Sequence, residues 1–238
     1  MKARYAISGT FACAVAVFVL IPQIPFLTGN LFFEGSGLLY NVRIAHFLFH
    51  QAAYPVLSQA PQYAHYQLSR TNFIQGNFYP ALDEARSELL SYPDNTQTYY
   101  ILGLTYGYLG RTHEAIDSFS KYIESHPGTW AGRNDKAWLQ FRLGDIDGAL
   151  ETIQPIAKNF RYTPWVQNTY CVLLLNKKEF LKAEQACKAA QKAVSAASEE
   201  DWGRAYPGND PRIYAAGLQA MRKTIEDNLK LIRGKIRE

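Results

Sequence analysis

Small residues return along this chain at a fixed interval of 34 positions. Alanines stand at Ala81, Ala115, Ala149 and Ala183, and Gly76, Gly110 and Gly144 keep the same register, with Lys178 at the fourth turn. A period of that length predicts stacked helix–turn–helix units. The turn must reverse two antiparallel helices, and glycine there escapes the Cβ penalty. The alanine five places later must be small because the two helices touch at that point. A second pattern closes the chain. Leu218, Met221, Ile225, Leu229, Ile232 and Ile236 follow at spacings of three and four, a helical apolar stripe. Asp210 offers it an N-cap and Pro211 a first-turn proline, after an expected loop at 198–209 that contains Gly203, Pro207 and Gly208.

The amino-terminal pattern is of another kind. Lys2 and Arg4 are followed by no charged residue until Glu34, and Phe11–Ile21 is unbroken apolar sequence. Tyr5–Ile24 could cross a hydrocarbon core about 30 Å thick at 1.5 Å per residue. Pro22 and Pro25 are expected to end that helix. A cleaved signal peptide shares the charged start, but no convincing small-x-small site follows Ile21. An uncleaved anchor is therefore the expectation for residues 1–28. Lys2 and Arg4 would keep the amino terminus in the cytoplasm and place the repeats outside it, periplasmic or at the cell surface. Residues 29–61 read as a linker and amino-terminal cap. Within them Leu38–Leu57 carries Arg43, His46, His50 and Gln51, too polar for a second span. It suits an interfacial helix or, better, a half-repeat covering the open end of the array.

The copy at 96–129 holds Tyr99, Leu102, Gly103, Tyr106, Gly110, Ala115, Phe119 and Pro127. This resembles the tetratricopeptide repeat, with Tyr99 in place of the usual tryptophan. The copy at 62–95 keeps Leu68, Gly76, Phe78, Ala81 and Pro93, with Ala85 where Phe is usual. That at 130–163 keeps Ala137, Leu143, Gly144 and Ala149, and that at 164–197 is the loosest, with Phe180, Ala183 and Ala190. The resemblance implies an all-α, right-handed helix–turn–helix solenoid of about four motifs. It would carry an amino-terminal transmembrane helix and, after a loop at 198–210, a carboxy-terminal capping helix at 211–238.

In that family the first helix of each repeat lines a concave surface that binds a peptide or partner helix. The matching places here are Tyr63, Tyr66, Arg70 and Phe73, then Gln97, Tyr100, Leu104 and Tyr108. The third copy gives Asn134, Trp138, Phe141 and Arg142, and the fourth Trp165, Asn168, Val172 and Asn176. Phe73 and Phe141 are the members expected to pack between repeats. Aromatics with a polar edge bury area at low entropic cost and suit an interface. Lysines are absent from these places, which argues against a clamp for a terminal carboxylate and for an apolar or aromatic ligand or a groove filled by the protein's own segment.

Composition adds limits. The chain of 238 residues is 47% hydrophobic and 14% aromatic, with a net charge of +4. No basic stripe with interleaved aromatics marks a nucleic-acid groove. No phosphate loop, nucleotide fingerprint or nucleophile elbow is present, so the expectation is a non-enzyme without a cofactor. His46 and His50 could share a helix face, yet no further metal ligand stands nearby in sequence. Cys171 and Cys187 occupy the eighth and twenty-fourth places of the fourth copy, which antiparallel helices bring nearly opposite each other. They are buried thiols or, in an oxidising compartment, a disulfide. The basic side of the last helix is a solvated face, a dimer seam or a contact with anionic lipid. Together these features predict a membrane-anchored adaptor holding a protein partner during assembly of a membrane or envelope complex. The alternative is a permanent subunit of such a complex.

Overall fold

The computed structural model describes residues 21–34, 40–56, 58–204 and 214–238, and among these it contains helices and turns without strands. The expected anchor, Tyr5–Ile24, lies outside the described residues except for its last four positions. The Asp210–Pro211 start of the last helix also lies outside them. Among the described residues no helix is long and apolar enough to cross a membrane.

The helices are α1 (Gln23–Glu34), α2 (Val42–Ala53), α3 (Ala64–Ile74), α4 (Phe78–Ser91), α5 (Thr98–Tyr108) and α6 (Thr112–Ser125). They continue with α7 (Ala131–Arg142), α8 (Ile146–Ala157), α9 (Pro164–Asn176), α10 (Phe180–Ala196), α11 (Glu199–Arg204) and α12 (Tyr214–Arg237). The chain divides into two compact units, Met1–Ile101 and Leu102–Glu238.

The turn chemistry follows the 34-residue register. Gly76, Gly110 and Gly144 have φ of 80°, 75° and 84°, the left-handed region that a Cβ disfavours. Each closes its helix with the same pair of bonds. The Gly76 N–H donates to Phe73 O at 2.9 Å and Asn77 N–H to Asn72 O at 2.9 Å. Gly144 and Asp145 repeat this onto Phe141 and Gln140. This double bond pattern satisfies carbonyls that the helix end would otherwise orphan. Lys178 makes the same bonds, to Leu175 O, with Glu179 N–H to Leu174 O, at a φ of 61°. A side chain is thus held where glycine belongs. Lys178→Gly should relieve about 1 kcal/mol of backbone strain, less the extra freedom glycine gains when unfolded, for a net gain of about 0.5 kcal/mol. A urea midpoint that rises with unchanged slope would show this; a fall would mean that the lysine side chain supplies a compensating contact.

In the first unit, α1 and α2 form a hairpin, α2 packs on α3, and α3 on α4. Phe33, Ala45, Phe49, Ala52, Ala53, Ala64 and Leu68 make its core. The helix that Pro22 and Pro25 are expected to end lies outside the described residues; Ile21 and Pro22 precede a new helix, α1, which starts at Gln23. Pro25 sits in the first turn of α1, where its missing N–H costs no bond. The hairpin bonds onto the first repeat: Gln67 Nε2 donates to Asn30 Oδ1 at 2.8 Å, and His46 Nδ1 meets Thr71 Oγ1 at 3.0 Å. Glu88, wholly buried on α4, caps α3 from the side. Its carboxylate accepts the Tyr63 N–H at 2.7 Å, the Tyr66 N–H at 3.1 Å and Asn95 Nδ2 at 2.9 Å.

In the second unit each of α6 to α9 packs on the next, α7 also touches α9, and α10 packs on α12. Ala115, Ala149 and Ala183 are fully buried where their helices meet their neighbours, as is Ala81 in the first unit. Cys171 and Cys187 stand opposite each other on α9 and α10, Cα atoms 5.2 Å apart and sulfurs at disulfide distance. The stripe on α12 is consumed by the fold: Leu218, Ile225, Leu229 and Ile232 are buried with Ala186, Ala190 and Val194 of α10. Little of it remains for a dimer seam. The expected loop after Ser198 also holds a short helix, α11. Ser198 Oγ accepts the Asp201 N–H at 3.0 Å while its own N–H donates to Asp201 Oδ2 at 3.3 Å, a reciprocal capping box.

Candidate functional site

The ninth and thirteenth places of the later repeats face outward. They are one helical turn apart, so they share a ridge on each first helix. Leu104 and Tyr108 come from α5, and Trp138 and Arg142 from α7. All four line one cleft of about 540 Å³, floored by Gly103, Phe119 and Leu139, with Gly107 and Asp135 at its side. Tyr108 is 68% exposed and Trp138 42%, large values for such side chains, and the Trp138 ring rests on Phe141 at 5.5 Å. Gly107 adds to the depth of the cleft, whereas the space beside Gly103 is filled by the Phe119 ring. Nothing stands within 4 Å of a Cβ built at Gly107, so its bare backbone leaves open space. The opening combines aromatic walls with an Arg142 and Asp135 rim.

The fifth places behave differently, because they lie on the flank turned to the neighbouring helix. Tyr100 is only 9% exposed and belongs to the core, which corrects its assignment to the groove surface. Asn134 is likewise buried, and its Oδ1 accepts from Thr169 Oγ1 of α9 at 2.9 Å. Asn168 is half-buried, with its Oδ1 shielded from solvent and no hydrogen-bond partner among the described residues. Phe73 packs inward against Phe78, and Val172 and Asn176 follow on α9, Asn176 exposed.

In the first unit Tyr63 and Tyr66 meet edge to face at 6.2 Å, and Gln97 is half-buried. Arg70 is occupied within the unit. Its guanidinium lies 4.5 Å from the Phe33 ring and 5.6 Å from the Tyr66 ring, and it donates to Glu34 and Gln67 at 3.0 and 2.9 Å. It ties α1 to α3 and so is not an open hydrogen-bonding edge.

Trp165 stacks on Trp130 at 5.6 Å and 23°, and leans on Trp202 at 6.2 Å, around a second opening of about 470 Å³. Trp130 and Trp202 escaped the sequence reading because they lie outside the family's groove places; their aromatic type was the only signal.

The histidine pair has structural partners. Burial, then the neighbouring His50, lowers the His46 pKa, while Glu84 opposes this. The neutral ring pairs with Thr71. Glu84 accepts from the Tyr54 hydroxyl at 2.7 Å and meets His65 Nδ1 at 2.6 Å. Burial first, then that bond to Glu84, pushes the Tyr54 pKa up to about 12. Among the described residues no three His, Cys, Asp or Glu side chains gather to hold a metal.

Comparison with known proteins agrees with the helix-pair reading. Residues 97–129 match the tetratricopeptide repeat family. No curated protein matches the chain. Among solved structures, MamA of AMB-1 is 17% identical with a TM-score of 0.59, covering 75% of this chain and 94% of that one. MamA of MSR-1 is 16% identical with a TM-score of 0.55, covering 66% and 89%. MamA (41-end) from Desulfovibrio magneticus RS-1 is 12% identical with a TM-score of 0.52, covering 73% and 93%. At these identities the likeness shows the fold alone: an all-helical chain of tetratricopeptide type, with a tetratricopeptide repeat at residues 97–129.

Proposed function

We propose that this protein is a membrane-anchored adaptor that grips an apolar or aromatic segment of a protein partner and holds it for assembly of a membrane or envelope complex. The observation that carries this reading is the cleft between α5 and α7, where Leu104, Tyr108, Trp138 and Arg142 converge. Exposed aromatics and an arginine over an apolar floor are the composition of an energetic anchor site. The Arg142–Asp135 rim would orient the ligand through hydrogen bonds. No arrangement for nucleophilic or acid–base chemistry is part of this reading, nor is a cofactor.

The uninterrupted apolar sequence after Lys2 and Arg4 supports the anchor and its orientation. The Cys171–Cys187 pairing suits an oxidising compartment outside the cytoplasm.

The test is capture of partner by the full chain, crosslinked in native membranes, against Tyr108→Ala with Trp138→Ala. Both side chains are solvent-facing, so thermal unfolding should move by only a few degrees. Capture should fall at least tenfold, the size expected for losing an anchor worth about 1.4 kcal/mol or more. Undiminished capture by the folded double variant would remove the cleft from the mechanism. One observation favours a permanent subunit instead: Tyr79, Leu90 and Leu181 stand largely exposed on second helices. An adaptor should run as a stable monomer once solubilised, whereas a subunit stripped of its neighbours should aggregate.

A further inference from the structure

The outward side of α1 is apolar in a way the repeats do not explain. Pro25, Gly29 and Phe33, four apart, face the core, and Gly29 is so close to Phe49 that an added Cβ would meet its ring at 2.7 Å. The opposite positions are Gln23, Leu27 and Leu31, with Leu27 63% and Leu31 68% exposed. No charged residue appears on this helix before Glu34, and Glu34 is paired with Arg70 at 3.0 Å. On α2, the other helix of the hairpin, Ile44 and Phe47 also stand exposed. A helix turned to water ordinarily carries charge on that side.

We propose that the outward face of α1 rests in the headgroup region of a lipid bilayer, so that the first unit lies on the membrane and does not hang from a flexible tether. This rests on the anchor reading above. The connection is short. If the anchor leaves the hydrocarbon where α1 begins, at Gln23, Leu27 is four residues further on, within about 14 Å even fully extended. The headgroup layer itself is several ångströms deep on each side. Leu27 and Leu31 are one turn apart and enter it together, as the apolar side of an interfacial helix does. Neutral lipid suffices, because Gln23, Leu27 and Leu31 offer no charge for an anionic headgroup to meet.

The test uses the full chain with Cys13→Ser, reconstituted into phosphatidylcholine vesicles and labelled with an environment-sensitive fluorophore at Leu27→Cys, Leu31→Cys or Leu90→Cys. Leu90, exposed on α4, is the aqueous control. Lipids bearing a spin label near the headgroup should quench positions 27 and 31 at least twofold more than position 90. If the chain floats with the vesicles but all three positions are quenched alike, the interfacial docking is overturned and the anchor stands. If the chain does not float with the vesicles, the anchor reading falls and the docking with it.

Discussion

Glu88→Ala should destabilise the first unit by about 3 kcal/mol, since hydrogen bonds to a charged group contribute about 1.5–3 kcal/mol each and buried donors left unmade are costly. The carboxylate is wholly buried, so its own desolvation must be repaid by the three donors it meets. Two of these are backbone N–H groups at the start of α3, from Tyr63 and Tyr66, and the third is the Asn95 amide. Tyr63 enters α3 at a φ of 72° and has no side-chain cap of its own, so Glu88 supplies from α4 what a local Ser or Asp would otherwise give. Alanine would leave all three donors facing a cavity. Glu88→Gln keeps the volume and one acceptor oxygen but turns a donor toward one N–H, so it should lose about half as much. Urea unfolding reads both variants. Equal stability of wild type and Glu88→Ala would mean that water replaces the carboxylate without penalty, and that the buried cap is dispensable.

Glu88 also marks where sequence reasoning reaches its limit. The period of 34 located the four helix reversals, including the unfavourable one at Lys178, because backbone geometry at a turn is a local demand that one residue type answers. The alanines were legible for the same reason, since a close approach tolerates only a small side chain. A carboxylate that caps a helix more than twenty residues earlier is a tertiary fact, and Glu88 reads in sequence as one more surface acid. The same limit split the groove residues. Positions nine and thirteen face out at Trp138 and Arg142, yet the fifth place at Tyr100 and Asn134 turns toward the adjoining helix, which only the packing angle decides. Arg70 was legible as a groove residue, but its capture by Glu34 and Phe33 depends on α1 lying beside α3. The short helix α11 is a different case: the Ser198-x-x-Asp201 box is legible in the sequence, but Gly203 and Pro207 close behind it carry a competing loop signal.

The second large effect is expected at Gly103, beneath the cleft. A Cβ built there would lie 2.6, 2.7 and 2.8 Å from ring carbons of Phe119, closer than such atoms approach. Phe119 is buried against α5, and the one open side it has is the cleft whose floor it forms. By propensity alone, Gly103→Ala would favour the helix by about 1 kcal/mol. Overpacking a filled core costs about 1–3 kcal/mol, so the clash should win and the net loss should be about 1–2 kcal/mol. Gly103→Val adds two methyl groups at the same point and should lose more than about 3 kcal/mol, reading out as unfolded chain at moderate temperature. A double-mutant cycle isolates the cause. In a Phe119→Leu background the ring is gone, so Gly103→Ala should become neutral or mildly stabilising. The same cost in both backgrounds would show that Phe119 is not what keeps this position free of a side chain. The cycle bears on function as well, because Gly103 and Phe119 floor the space into which Tyr108 and Trp138 open. A Phe119 ring displaced by the added methyl would rise into that space. Gly103→Ala should therefore weaken partner capture by more than its stability loss alone would, whereas Gly103→Ala with Phe119→Leu should recover part of it.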